Sequence, residues 1–425
     1  MKEIKWVNIF NKTLYEKCLD KFGDYMGDER LVPKLRFSGF NDDWIKVNIK
    51  NYSTIKGRIG WKNLKQSEYT ESGPYLIAGK HIYNGIINWE ECDHLSMERY
   101  DESPEIALKI GDVIFSKDGS LGNPALIREL PDKATINGTM MLVRLHEKIT
   151  PNFFYQVLNS DSFFRLLHIL KSGSSIPHIF QRYMENFNFN VPQEINEQNK
   201  ISNFLEAIDE KIKLLEMKYE LYQNFKKFFM QQIFAQELRF DDNCQYKSKK
   251  VKDFLTESKI EGIDDIDKRL TVKLNLKGIT VRESKTIEIE GATKQFIRKS
   301  GQFIYGKQNL HKGAFGIVPK ELDGYLTSSD IPSFDFKGEI EPKWFYYYFS
   351  RKSFYERLES LSTGTGSKRI SPKEFLNIKI IVPEIKEQHR IVCLLAKIDE
   401  EINGISNQIL QMNRFKKSLL QQMFV

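Results

Sequence analysis

The sequence predicts an α+β fold: two globular domains separated by two long antiparallel helices that form a coiled coil, in a pseudo-two-fold circular repeat. The 425 residues are too many for one ordinary compact core. An internal duplication has a period of about 190 residues, far longer than a solenoid repeat. Two long stretches also carry a heptad pattern of apolar residues, which is typical of paired helices.

The duplication is clearest near the end of each copy, where several matches share one offset of 190 residues. Glu197-Gln198 matches Glu387-Gln388, and between such anchors the two copies differ strongly. The scaffold is therefore repeated while the intervening parts vary. The other anchors at this offset are Ile208-Asp209-Glu210 with Ile398-Asp399-Glu400, Phe225-Lys226-Lys227 with Phe415-Lys416-Lys417, Gln231-Gln232 with Gln421-Gln422, and Phe234 with Phe424. Val191-Pro192 matches Val382-Pro383 one residue out of step.

A Leu-Arg-Phe element indicates that the repeat is circular. Leu35-Arg36-Phe37 recurs as Leu238-Arg239-Phe240 just after the first heptad stretch. The second heptad stretch ends at Val425, where the same element would follow next. We therefore expect the two ends of the repeated region to lie close together.

The heptad stretches predict helices over residues 194–237 and 386–425, each about 60 Å long at ~1.5 Å per residue. Each apolar stripe needs a partner, and the other helix is the obvious one. Gly404 should weaken the second helix by ~1 kcal/mol relative to Ala. The residues predicted for helix packing or partner contact are Ile201, Leu205, Ile208, Ile212, Leu215, Phe225, Gln231, Ile391, Leu395, Ile398, Ile402, Ile405, Phe415 and Gln421.

The variable domains are predicted over residues 32–190 and 238–383, with mixed short strands and helices. Their Gly-containing loops carry cations, hydroxyls and amides, which can contact phosphate oxygens or base edges. For any single residue, a solvated surface charge is an equally good explanation. The candidate DNA-binding residues are Lys56, Arg58, Trp61, Lys62, Lys80, His81, Lys117, Ser120, Ser172, Ser174, Lys307, Asn309, Lys312, Thr365, Lys368 and Arg369.

Composition excludes several classes of function. The net charge is +7 and the pI about 8.9, a mild basic excess that fits a polyanionic partner. The four dispersed cysteines predict reduced thiols in the cytoplasm, with Cys393 in a helix as a packing residue. The sequence lacks a metal-ligand cluster, a Walker A motif, a methyltransferase motif, a signal peptide and a long apolar span. We therefore expect a cytoplasmic, non-catalytic chain without a bound metal.

At this point the repeats carry a family resemblance. Pro-x-Leu-Arg-Phe-x-Gly-Phe (residues 33–40), followed by Trp44, is similar to the opening of the specificity subunits of type I restriction-modification systems. The duplicated Val-Pro, Glu-Gln, Ile-Asp-Glu and Phe-Lys-Lys-x3-Gln-Gln-x-Phe anchors resemble that family's two spacer regions. The resemblance covers residues 32–425, and the order, spacing and duplication of these motifs all match that family.

The resemblance implies two target-recognition domains, each recognising one half of a split double-stranded DNA target, with the helices fixing the gap. It also implies two methyltransferase subunits docked on the helical region, joined by restriction subunits with translocase and nuclease activity. S-adenosylmethionine, ATP and Mg would then bind those partners, and this chain would hold no cofactor.

Two other functions stay open, as does the role of the first residues. The chain could be a coiled-coil scaffold without sequence-specific DNA binding, or a self-contained modification enzyme with an unrecognised site.

Residues 1–31 have no counterpart in the second copy. Their amphipathic stretch of Trp6, Val7, Phe10, Leu14 and Leu19 is either an accessory helix or part of a misassigned start.

Overall fold

The computed structural model describes residues 31–58, 64–172, 178–283, 293–362 and 368–425. They form two compact units: unit 1 has the described part of Met1–Leu215 with Gln408–Val425, and unit 2 is the described part of Glu216–Asn407. The predicted segment 1–31 lies outside this description except for Leu31, which packs against the core of unit 1. None of the helices described here is long and apolar enough to cross a membrane.

Unit 1 is built from short strands and helices. The strands are β1 (Ile45–Asn48), β2 (Ser53–Gly57), β3 (Tyr69–Ile77), β4 (Ile82–Tyr83), β5 (Ile86–Ile87), β6 (Asp93–Leu95), β7 (Val113–Ser116), β8 (Gly122–Leu126), β9 (Ala134–Ile136), β10 (Met140–Leu145) and β11 (Asn188–Val191). The helices are α1 (Met97–Asp101), α2 (Pro151–Leu158), α3 (Asp161–Ser172) and α4 (Gln181–Glu185).

Two long helices then take part in both units: α5 (Ile195–Phe234) and α9 (Ile385–Met423). The strands of unit 2 are β12 (Tyr246–Lys250), β13 (Leu255–Ser258), β14 (Glu261–Gly262), β15 (Leu270–Val272), β16 (Ile279–Val281), β17 (Gln295–Arg298), β18 (Phe303–Tyr305), β19 (Phe315–Ile317), β20 (Tyr325–Ser328), β21 (Ser333–Phe336) and β22 (Lys379–Pro383). Its other helices are α6 (Pro342–Ser350), α7 (Lys352–Arg357) and α8 (Pro372–Leu376).

The main sheet and one two-stranded pair have the same strand order in both units. The main sheet runs β2-β10-β7-β8 in unit 1 and β13-β21-β18-β19 in unit 2, with antiparallel neighbours. β1 pairs with β11 just as β12 pairs with β22. The smaller sheets are β6-β3-β9 and β4-β5 in unit 1, and β14-β17-β20 and β15-β16 in unit 2. The three-stranded sheets differ, because β3 is central and pairs with β9 in parallel, whereas β17 is central and pairs with β20 antiparallel. The duplication in the sequence is therefore a duplication of the main sheet and of the two-stranded pair.

The aromatic-rich stretches after the main sheet form helices for local reasons. At α2, Thr150 caps the helix by accepting a hydrogen bond from Phe153 N–H, and Pro151 occupies the first turn. Glu341 and Pro342 play the same parts at α6. A side-chain cap and an early proline both favour a helix start. The buried faces then fill the cores, for example through Phe345 in unit 2.

The repeated Glu-Gln pair explains how each long helix is anchored. The Gln198 side chain is fully buried, donates to the Pro192 carbonyl (3.0 Å) and accepts from Thr150 N–H (2.9 Å). Gln388 donates to the Pro383 carbonyl (2.9 Å) and accepts from Glu341 N–H (2.8 Å). Buried polar groups need such partners, so this glutamine joins the preceding strand, the long helix and the aromatic helix.

The long helices run antiparallel. Unit 1 holds the first part of α5 and the last part of α9, whereas unit 2 holds the last part of α5 and the first part of α9. One ion pair repeats in both units: Lys416 Nζ lies 2.5 Å from Asp209 Oδ1, and Lys226 Nζ lies 2.5 Å from Asp399 Oδ1. α9 continues without a break through Gly404, whose surroundings are open.

The predicted proximity of the ends of the repeat is present within unit 1. Leu35 N–H donates to the Gln422 carbonyl (2.9 Å), and its counterpart Leu238 N–H donates to the Gln232 carbonyl (3.2 Å). Phe424 stacks on Phe153 with a centroid distance of 5.4 Å. The Leu-Arg-Phe element therefore follows the end of a long helix in both units, once along the chain and once through space.

Candidate nucleic-acid interface

In unit 1, several predicted contact residues meet at the end of β7. Lys117 follows this buried strand, and its carbonyl accepts a hydrogen bond from Ile179 N–H (2.9 Å). A Cβ added to Gly57 would lie 3.3 Å from Lys117 Nζ, so the exposed Lys56 is nearby in sequence and space. Folding therefore joins the end of β2, the end of β7 and the chain that enters α4.

Lys80 belongs to the same edge of the sheet because glycine lets the backbone approach closely. A Cβ at Gly79 would lie 2.3 Å from Ser116 Oγ, a contact that no other residue type could make unchanged. The Lys80 side chain is 64% exposed and its Nζ lies 3.0 Å from Asp93 Oδ2. Ser120 is also exposed, one residue after Gly119, whose φ is +70°.

Unit 2 repeats this arrangement at the end of β18. The Lys307 carbonyl accepts from Ile370 N–H (2.9 Å), as Lys117 accepts from Ile179 in unit 1. Arg369 Nη1 lies 3.5 Å from Asp330 Oδ1, and Lys307 N–H donates to the Asp330 carbonyl (2.9 Å). The half-buried Asn309 and the exposed Lys312 lie in the following turn. Lys368 is exposed and faces Glu359 at 3.9 Å.

Two predicted contact residues are buried instead, which corrects the expectation that they face a ligand. Arg58 is 6% exposed, its Nε donates to the Ile136 carbonyl (3.1 Å), and burial lowers the pKa of its guanidinium. His81 is 2% exposed, accepts from Ala78 N–H at Nδ1 (3.0 Å), and has a pKa lowered by burial. Neither side chain is presented at the surface for contact with a ligand, although Arg58 Nη2 and His81 Nε2 have no hydrogen-bond partner among the described residues.

Five of the predicted DNA-binding residues lie outside the described residues or at their edge. Trp61, Lys62, Ser174 and Thr365 lie outside the described residues. Ser172 is the last residue of α3.

Sequence reasoning missed two exposed groups near these loops. In unit 1, the exposed Phe180 lies 4.3 Å from the His178 ring and 5.0 Å from the Arg182 guanidinium, measured to ring centroids. In unit 2, the turn between β15 and β16 exposes Lys273, Asn275 and Lys277. The available signal was Lys-x-Asn-x-Lys-Gly between two short apolar and β-branched triplets.

The predicted helix residues separate into two kinds. The apolar seam is buried: Ile201, Leu205, Ile208, Ile212, Leu215, Ile391, Leu395, Ile398, Ile402 and Ile405. Four others are exposed at equivalent positions of the two helices: Phe225, Gln231, Phe415 and Gln421. Cys393 is exposed as well, which corrects its prediction as a packing residue, because it lies outside the seam.

The repeated lysine next to each exposed Phe has an internal role. The Lys226 ammonium is paired with Asp399, which also accepts a hydrogen bond from Tyr347 Oη (2.7 Å). Burial and the neighbouring carboxylate raise the pKa of Tyr347, which stays a neutral donor. Part of the Phe-Lys-Lys identity is thus required by the fold, whereas Lys227 and Lys417 remain exposed. Among the described residues, no cluster of His, Cys, Asp or Glu could hold a metal ion.

Two solved structures align with nearly the whole of this chain and share its fold. A type I restriction-modification S subunit from M. genitalium aligns with a TM-score of 0.59 and 15% identity, over 93% of this chain and 99% of that one. A chain from a structure on complex assembly and conformational transition of a type I restriction-modification system aligns at 0.52 and 16%, over 91% and 99%.

Sequence comparison gives the family. The specificity subunit of the MjaVIII type I restriction enzyme of Methanocaldococcus jannaschii is 23% identical over 243 residues, 56% of the length of each protein. This chain therefore spans just over half of that curated relative. A model described as the type I restriction modification DNA specificity domain matches residues 41–221 and again 224–412. The chain therefore belongs to the family of type I restriction modification DNA specificity domains.

Proposed function

We propose that each unit recognises one half of a bipartite double-stranded DNA target. The observation that carries this proposal is the duplicated strand-end site, in which Lys117 and Lys307 occupy equivalent positions on two otherwise divergent domains. Lys117 and Lys307 are half-buried, and exposed cations such as Lys56 and Lys312 lie near them. Cations beside hydroxyl and amide groups suit phosphate contact and base recognition. Two such sites with different neighbouring residues would recognise two different half-sites.

We further propose that α5 and α9 fix the gap between the half-sites and dock two methyltransferase subunits. The support is the exposed set that the two helices share: Phe225, Lys227 and Gln231 match Phe415, Lys417 and Gln421. Half-sites one helical turn apart are separated by about 34 Å, and a helix of 40 residues is about 60 Å long at ~1.5 Å per residue.

In this proposal the chemistry resides in the partners. The methyltransferase subunits bind S-adenosylmethionine and methylate adenine. Restriction subunits join through them and use ATP and Mg for translocation and cleavage. This chain contributes the choice of sequence, the spacing and the docking surfaces.

The test is to co-express this chain with a methyltransferase subunit encoded beside it in a host without DNA methylation. Single-molecule sequencing then maps the modified adenines, and the methyltransferase alone is the control. We expect a split motif with a fixed unspecified gap that appears with this chain and vanishes without it. Methylation that is identical in both strains, from a partner shown to bind this chain, would favour a scaffold role.

A further inference from the structure

Unit 2 carries a strained turn that the proposed site does not use. The hairpin of β15 and β16 is closed by residues 273–278, with Lys273 N–H bonded to the Gly278 carbonyl (2.9 Å). Within it, Asn275 and Leu276 have φ values of +57° and +58°. This left-handed region is unfavourable for a residue such as Leu. Backbone strain of this kind persists where the surroundings impose it.

The neighbouring turn imposes this conformation. Asn275 N–H donates to the Lys312 carbonyl, and Leu276 N–H donates to the Gly313 carbonyl, both at 2.9 Å. The Leu276 side chain is half-buried and packs against the core of unit 2. Two backbone hydrogen bonds and one apolar anchor therefore hold the turn in a single shape before any ligand arrives.

The anchor leaves the polar side chains on the outside. Lys273, Asn275 and Lys277 are exposed, and so is Lys312 beside them. In the part of the chain that the structure describes, none of these three lysines forms an ion pair. A preformed turn that carries unneutralised cations around an amide matches a polyanion that also presents hydrogen-bonding edges, because the backbone of the turn has little ordering entropy left to lose on binding.

We infer that this turn is a DNA-contacting element of unit 2, in which Lys273 and Lys277 bind phosphates and Asn275 hydrogen-bonds a base. The inference rests on the proposed function. Asn pairs in a bidentate manner with N6 and N7 of adenine in the major groove. The half-site recognised by unit 2 therefore contains an adenine specified by Asn275.

Unit 1 has a different hairpin at the corresponding place. β4 and β5 are joined by Asn84-Gly85, and the residue before this turn is Tyr83, which is 78% exposed. The Asn123 side chain donates to the Ile82 carbonyl at the base of this hairpin (3.1 Å). The segment from Ile82 to Ile87 contains no lysine. The contribution of the lysine turn therefore belongs to one half-site, and the other half-site is an internal control.

Binding as a function of salt tests the phosphate contacts. The complex of full-length chain and methyltransferase subunits is titrated with a duplex carrying the motif mapped for the wild-type complex. Lys273→Gln/Lys277→Gln should weaken binding on the order of 10- to 100-fold at about 0.1 M salt, and lower the salt slope by about 1.8. The matched control, Lys247→Gln/Lys249→Gln, removes the same charge from exposed positions of β12. Equal losses in the two double variants would overturn the inference.

Methylation mapping tests the base contact. Asn275→Ala should relax one adenine position in one half-site by roughly 5- to 150-fold, with the other half-site unchanged. An unchanged motif, or relaxation in both half-sites, would contradict it. A wild-type complex without a split motif would refute the proposed function itself. A wild-type split motif together with silent turn variants would refute this inference alone.

Discussion

The Leu-Arg-Phe element occurs twice, yet its two arginines should contribute very differently to stability. Arg36 holds the carboxylate of Glu197 with two hydrogen bonds, Nε to Oε1 at 2.7 Å and Nη2 to Oε2 at 2.8 Å. The two side chains are 12% and 2% exposed. Arg239 instead bonds to Gln236 and lies over the Tyr246 ring at 5.1 Å. The buried carboxylate of unit 2, Glu387, accepts from Phe240 N–H (2.7 Å).

Arg36→Ala should therefore lower the free energy of unfolding by about 3 kcal/mol. Removing one partner of a buried pair costs about 3–5 kcal/mol because the other charge is left uncompensated. The lower end applies here, since Trp44 Nε1 still donates to Glu197 at 3.3 Å. Arg239→Ala, the matched control, should cost less than about 1 kcal/mol, the value of an exposed cation–π contact.

Urea unfolding of the isolated chain, followed by tryptophan fluorescence and circular dichroism, measures both variants. The double variant Arg36→Ala/Glu197→Gln should regain at least half of the loss, because no buried charge remains unpaired. Equal losses for Arg36→Ala and Arg239→Ala would refute the reasoning. The reasoning would also be refuted if the loss in the double variant equalled the sum of the losses in Arg36→Ala and Glu197→Gln measured singly.

Three further predictions concern helix α9, a buried histidine and the end of the chain. Gly404→Ala should raise the free energy of unfolding by about 0.5–1 kcal/mol, because the helix is continuous there and a Cβ meets nothing; a lower urea midpoint would contradict it. Burial lowers the pKa of His81 from 6.5, so protonation of this imidazole favours the unfolded chain. The free energy of unfolding should therefore be highest above about pH 6.5 and should fall as the pH is lowered below it. His81→Gln should weaken that dependence in melting curves taken at several pH values. Phe424→Ala should lower the free energy of unfolding by about 2–4 kcal/mol, because its ring stacks on Phe153. An unchanged urea midpoint would contradict the packing of the chain end into the core of unit 1.

The sequence predicted the long helices and their seam well, because heptad periodicity is a local signal. The predicted spans 194–237 and 386–425 compare with Ile195–Phe234 and Ile385–Met423. The pairing of Lys226 with Asp399 was not predictable in the same way. It depends on the register of two antiparallel helices, and that register is set by the domains at their ends.

Burial explains most of what was misjudged at the candidate site. Arg58 and His81 lie beside glycines and exposed lysines in the sequence, within Lys56-Gly57-Arg58 and Gly79-Lys80-His81, and only tertiary packing turns them inward. The lysine turn was overlooked because β15 and β16 are three residues long, too short for a period-two pattern. A left-handed Leu276 also contradicts the usual turn preferences, so the sequence carries no sign of that conformation.

The division of the long helices between the units has a consequence for the order of folding during synthesis. Unit 2 is one continuous stretch, Glu216–Asn407, whereas unit 1 also requires Gln408–Val425. Met423 is buried in the core of unit 1 and Phe424 stacks within it. Although the ribosome makes the strands of unit 1 first, their core stays incomplete until the last turns of α9 emerge. The domain that is translated second is thus the first that can finish folding.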